Sequence, residues 1–281
     1  MMDFLAAIAN PNVPFIRYAL IAGILSSIAF GMVGTYVVVR RITYIAGAIS
    51  HAALAGLGAS VYFSTVYSIT WLTPLTGAMT AAILSSWIIG LVTLYASERE
   101  DTVIGTIWAV GMAIGLIFIA KTPGYMDPMS YLFGNILLIG RQDLILIAIL
   151  NIIVVAIIIL FYPQLKALSF DEPYARTRNI PTGFFTLLLL TLTACTVVLM
   201  VSTVGIVMVI AMLTIPAATA GLVVNKLSLM MVFAGIFCAF SNTVGLGVSY
   251  ALDLPTGATT ILISGSMYVL VLLWKKLSKR G

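Results

Sequence analysis

The sequence predicts an all-α, polytopic membrane protein with about eight to nine transmembrane helices, and three observations carry that prediction. Hydrophobic residues make up 62% of the 281 residues and charged residues only 8%, whereas a water-soluble domain carries about 25% charge to cover its surface. Long segments such as Leu144–Phe161 and Phe184–Met200 hold no charged group. These runs are continuous, as helices crossing roughly 30 Å of hydrocarbon require, and lack the ten-residue alternation of a membrane barrel. Only those two architectures satisfy every backbone group in lipid.

Taken in order, the spans are expected at residues 15–39, 44–64, 71–95, 103–120, 143–162, 184–202, 204–222, 229–250 and 257–274, so the transmembrane region covers 15–274. Residues 3–12 read as a short interfacial helix ended by Asn10-Pro11-Asn12 and Pro14. No basic stretch precedes the first apolar run, so that run is expected to stay as a span. Two connections are longer than a tight turn: residues 121–143, and residues 163–183, which carry Asp171, Glu172, Arg176 and Arg178. Acidic residues ahead of basic ones suit a short helix with carboxylates at its positive end. The whole chain reads as one membrane-embedded domain, with neither repeat nor soluble module.

Basic residues outnumber acidic ones, 14 to 9, and topology accounts for the excess better than a nucleic-acid partner would. Lys and Arg of short loops stay in the cytoplasm. Placing Arg40-Arg41 inside also puts Arg99, Lys166, Arg176, Arg178, Lys226, Lys275, Lys276, Lys279 and Arg280 inside, leaving Arg17, Lys121 and Arg141 outside. The expected orientation is an external N-terminus and a cytoplasmic C-terminus in a bacterial-type plasma membrane.

The chain lacks the parts of an enzyme or a self-driven pump. No GxxxxGK[ST] loop is present to cradle nucleotide phosphates, no paired acids or GxSG stand within the spans, and the carboxylates sit in loops or at span ends. No resident cofactor is expected. Cys195 and Cys238 read as small buried hydrophobes, Met208 and Met212 as packing, and Asn151 and Asn242 as interhelical hydrogen-bonding groups. Trp71, Trp87, Trp108 and Trp274 include candidates for interface anchors.

The lone histidine is the exception. On a helix, Gly47, His51, Ala55 and Gly58 share one face, with Ala48, Ala52 and Gly56 beside it, and small residues let helices approach closely. His51 lies roughly 10 Å along the helix from Tyr44 at 1.5 Å per residue. Spacing alone leaves two readings open, a packed histidine or a metal contact.

The segment Arg40-Arg41-Ile-Thr-Tyr-Ile-Ala-Gly-Ala-Ile-Ser50-His51-Ala52 resembles ATP-binding-cassette permeases for zinc and manganese, whose second span carries a D-x-x-S-H-A signature. Three further blocks in the same order resemble that family: Ser169–Pro181, Val204–Ala220 and Ser249–Gly257. The second half is also similar to cobalamin and siderophore importers, implying a related fold. The resemblance implies an alternating-access permease moving a divalent metal, zinc or manganese, with iron as a further option. It also implies a second permease, identical or paralogous, two cytoplasmic ATPase subunits and an external metal-binding protein. His51, Gly47 and Ser50 are then the expected metal pathway or gate. Residues 215–228, with Pro216, Ala217, Thr219 and Lys226, are the expected coupling segment, and Asp171, Glu172 and Arg176 mark the cytoplasmic loop. The chain departs from the signature at Gly47, where the family carries Asp, one turn before the histidine. An importer for cobalamin, haem or an iron chelate, and a non-transporting membrane scaffold, are the alternatives.

Overall fold

The computed structural model describes residues 14–95, 100–124 and 139–278. The expected helix at 3–12 and most of the 121–143 connection lie outside these residues. Eleven helices follow one another: α1 (Pro14–Val39), α2 (Thr43–Tyr67), α3 (Pro74–Tyr95), α4 (Glu100–Lys121), α5 (Arg141–Leu160), α6 (Tyr162–Phe170), α7 (Glu172–Thr177), α8 (Thr182–Val204), α9 (Ile206–Val223), α10 (Leu227–Leu252) and α11 (Thr256–Ser278). Among the described residues nine of them, all except α6 and α7, are long and apolar enough to span a bilayer. The 71–95 span begins later than expected. Trp71 lies exposed in the connection, and the helix starts at Pro74, whose fixed φ suits a first turn.

Contacts between helix ends sort the chain into two ends of one slab. At one end Arg40 meets Glu172 and Thr186, Gly183 lies beside Leu94 and Tyr95, and Lys275 reaches Leu222. At the other end Thr73, Pro74 and Leu75 gather with Asp143 and Leu199 around a cavity of about 220 Å³. The nine spans therefore alternate in direction. Sharp reversals occur where left-handed backbone is needed: Gly205 (φ 84) alone separates α8 from α9, a conformation open to glycine at little cost.

Two large apolar cores divide the slab, with a small third cluster of Ala217, Ala220, Met230 and Ala234 where α9 meets α10. One joins α1, α5, α8, α9 and α10 around Phe30, Tyr36, Ile147, Met208 and Met212. The other joins α2, α3 and α4, with part of α8, around Ile49, Ala53, Ala82 and Ile104. Apolar side chains gain nothing from leaving lipid for a neighbouring helix, so close backbone approach and buried hydrogen bonds hold such bundles together. Both are visible. A Cβ added to Gly34 would lie 2.1 Å from the Leu213 carbonyl oxygen, and one on Gly56 would lie 1.9 Å from that of Gly77. Asn151 Nδ2 donates to Leu25 O at 2.8 Å while Ala29 N donates to Asn151 Oδ1 at 3.0 Å. Asn242 Nδ2 donates to Gly23 O at 2.8 Å.

Candidate functional site

Helix α2 is the most enclosed of the spans and the least apolar. Its small residues are why it fits. Gly56 abuts Gly77 of α3, Gly58 abuts Gly115 of α4, and Ala52 abuts Gly111 of α4. The contacts with α4 advance together along both helices, from Gly47 and Trp108 to Phe63 and Phe118. Helices α2 and α4 thus run parallel, in register.

His51 stands near the start of this crossing, half-buried. Its ring stacks on the Trp108 indole with centroids 4.5 Å apart and planes 17° from parallel. Tyr44 also packs against Trp108, with centroids 5.6 Å apart. Such aromatic pairs contribute about 0.5–1.5 kcal/mol beyond area burial, enough to fix the imidazole plane. The Nδ1 atom is enclosed and has no hydrogen-bond partner among the described residues. Burying a polar atom without a partner costs about 1–3 kcal/mol in protein mutational terms, so this nitrogen is an unsatisfied polar atom held in place.

Of the other expected pathway residues, Gly47 joins the site and Ser50 does not. A Cβ on Gly47 would meet Trp108 Cζ3 at 3.0 Å. Ser50 is fully buried and its hydroxyl donates to Ala46 O of its own helix at 2.8 Å. Among the described residues no three His, Cys, Asp or Glu side chains gather as a metal site.

Trp108 is the residue that sequence reasoning placed elsewhere, as a candidate interface anchor. It lies half-buried against the histidine. The available signal was its spacing with Gly111 and Gly115, three and seven residues on, which puts the indole on the same small-residue face that packs on α2.

A polar cluster forms at the Arg40 end. Glu172 Oε2 accepts from Arg40 Nη2 at 3.2 Å, and its Oε1 accepts from Arg176 Nη2 at 2.8 Å. Arg40 Nη1 also donates to Thr186 Oγ1 of α8 at 3.1 Å. Burial pulls the Arg40 guanidinium below its ordinary pKa and Glu172 opposes that; an arginine remains a cation through such shifts. Asp171 caps α7, its Oδ1 accepting from Tyr174 N at 2.9 Å. The acidic-then-basic loop reading thus corresponds to a capped helix, preceded by a second helix, α6.

The expected coupling segment at 215–228 overlaps the expected span at 204–222, and its first part lies in that span. Residues up to Val223 are the last turns of span α9, with Pro216 inside it. Pro216, Ala217 and Thr219 are buried, and Thr219 Oγ1 donates to Ile215 O at 2.8 Å. A proline within a membrane helix is tolerated because neighbouring groups satisfy the freed carbonyl. Only the short connection to α10 and its neighbours, Lys226 among them, lie exposed.

Residues 12–275 match the ABC 3 transport family. A probable metal transport system membrane protein of Chlamydia trachomatis is 36% identical over 276 residues, 98% of this chain and 94% of that protein. The manganese transport system membrane protein MntC of Listeria monocytogenes is 34% identical over 260 residues, covering 92% and 90%. Among solved structures, PsaBC from Streptococcus pneumoniae, in complex with Fab, matches with a TM-score of 0.84 and 29% identity, over 96% of this chain and 94% of that one.

Proposed function

This chain belongs to the ABC 3 transport family, and we propose that it is the membrane permease of an ATP-driven importer for a divalent metal ion, zinc or manganese in class. His51 carries the reading. It is an imidazole inside a span, with its ring plane fixed by Trp108 and Nδ1 left without a partner. Ionisable side chains at membrane depth mark transport paths by default, and a neutral imidazole suits borderline divalent metals. The Chlamydia relative is named for metal transport and the Listeria relative for manganese transport, which supports a metal cargo.

The metal is cargo, and the permease performs no chemistry on it. One imidazole cannot hold an ion alone, so water or a second permease, identical or paralogous, completes the coordination in transit. An external metal-binding protein delivers the ion, and two ATPase subunits supply the energy for alternating access. The Arg40 end carries Lys166, Arg176, Arg178, Lys226 and Lys275 as well, while Lys121 and Arg141 sit at the other. By the positive-inside rule the Arg40 end faces the cytoplasm, with the N-terminus outside. The ATPase then meets α6 and α7, where Phe170 and Tyr174 are exposed, together with the Lys226 connection.

Radiometal uptake by the complete importer at matched permease level tests the reading. His51→Ala and His51→Gln should both fall by about tenfold or more, the scale on which metal sites respond to loss of one donor or its support, while co-purification with the ATPase persists. Wild-type uptake by both variants would overturn it.

A further inference from the structure

The Trp108 indole stands where a side chain at position 47 would have to go. The hydrogen of Gly47 faces Cζ3, and a Cβ there would sit 3.0 Å from that carbon and 3.4 Å from Cη2. The same ring lies flat on His51, and Tyr44 also packs against it, at 5.6 Å. Every described carboxylate, namely Glu100, Asp101, Asp143, Asp171, Glu172 and Asp253, stands at a helix end or in a connection. The crossing of α2 and α4 thus offers the path an oriented nitrogen donor, while an oxygen-bearing side chain at position 47 would press on the indole, which must give by a few tenths of an ångström to admit it.

We propose that Trp108 is a positioning and specificity-determining residue: its indole fixes the His51 imidazole and keeps position 47 empty, biasing the path toward borderline divalent ions of the zinc class and against hard ions of the manganese class. The inference rests on the reading of His51 as a metal contact. Imidazole nitrogen suits zinc, iron, nickel and copper, whereas manganese and magnesium favour carboxylate, carbonyl and water oxygens. A partner that holds a ligating imidazole in plane also raises its usefulness as a donor, as outer contacts around metal ligands generally do.

The test measures uptake of zinc-65 and manganese-54 supplied together to the complete importer. The same external binding protein is used throughout, so any change in the zinc-to-manganese ratio comes from the permease. Trp108→Ala should lower that ratio by about tenfold, the lower end of what losing an orienting partner does at a metal site. Trp108→Phe retains a ring and should hold the ratio closer to wild type. Trp108→Leu fills the space without a ring and should behave like Trp108→Ala, which covers the case in which the alanine variant is not recovered. Gly47→Asp alone meets the indole and should lose uptake of both ions. Combined with Trp108→Ala, it places a carboxylate one turn from the imidazole and should shift the ratio further toward manganese.

An unchanged ratio in Trp108→Leu, or a Gly47→Asp variant as manganese-shifted as the double variant, would overturn the proposal. His51→Ala separates the two levels. If it transports both ions normally, the metal-contact reading fails. If it loses uptake while the Trp108 variants keep the wild-type ratio, only the role of Trp108 fails.

Discussion

The bundle contains two solutions to the same problem, a polar side chain in a span, and they differ in how completely the polar group is satisfied. In the α1–α5–α10 region, Asn151 takes both ends of one rung of the α1 ladder: its amide nitrogen bonds Leu25 O and its oxygen receives Ala29 N. In the α2–α4 region, His51 is held by a ring and its Nδ1 has no partner among the described residues. Buried polar groups are usually partnered; His51 Nδ1 is one of several enclosed polar atoms without a partner among the described residues, Asn242 Oδ1 and Tyr36 Oη among the others. The asparagine is spent on holding helices together. The histidine is held by a ring contact, with its Nδ1 left over.

That contrast breaks first at the glycine contacts that make the α2 region possible. Gly56→Val should give little or no folded protein, because even its Cβ would fall 1.9 Å from the Gly77 carbonyl oxygen. Gly265→Ala, where nothing lies within 4 Å, should solubilise like the wild type. Size-exclusion profiles of detergent-extracted protein compare the two directly. A monodisperse Gly56→Val peak of normal yield would show that α2 and α3 can part without loss.

The Arg40 cluster should give the next largest effect. Arg40→Ala strands Glu172 with only Arg176 and leaves Thr186 Oγ1 without its donor, across three elements that meet at the expected ATPase side. Breaking one partner of a half-buried charge pair costs about 1–3 kcal/mol. A severalfold loss of ATP-dependent uptake is therefore expected at unchanged ATPase binding, read as uptake per ATP hydrolysed. Unchanged coupling would reduce the cluster to a loop fastener.

Asn151→Leu should give the smallest effect and sharpen the comparison most. Interhelical side-chain hydrogen bonds in membranes average about 0.6 kcal/mol and reach about 1.7. The variant should melt slightly earlier in detergent while uptake at matched level stays normal. The reverse pattern, normal melting with lost uptake, would move Asn151 from scaffold to pathway.

Much of this architecture is legible in the sequence, because each span is a local property: an uninterrupted apolar run has one way to satisfy its backbone in lipid. His51 is legible for the same reason, as a single titratable ring within such a run, and Asn151 and Asn242 behave as the interhelical donors their positions suggest. What escapes is partnership. Trp108 lies 57 residues from His51 along the chain and 4.5 Å from it in space. Helical spacing assigns a residue to a face, without saying which helix lies opposite. Glu172 is hidden from Arg40 by the same separation. Pro216 sits inside the ninth helix, as the expected span at 204–222 had it, because a proline is tolerated within a membrane helix.

The glycine-rich face of α2 also bears on how the chain is made. This is the least apolar of the nine spans and the most enclosed, so it has the weakest claim on lipid by itself and the greatest dependence on neighbours. During synthesis it leaves the ribosome before α3 and α4, the helices whose backbones its glycines touch, have been made. A nascent chain halted soon after Tyr67 should therefore hold α2 loosely in the translocation machinery, open to an external protease or a glycosylation tag placed in the following connection. Extending the arrested chain past Lys121 should lock it, because only then is the full parallel pair available to close around it.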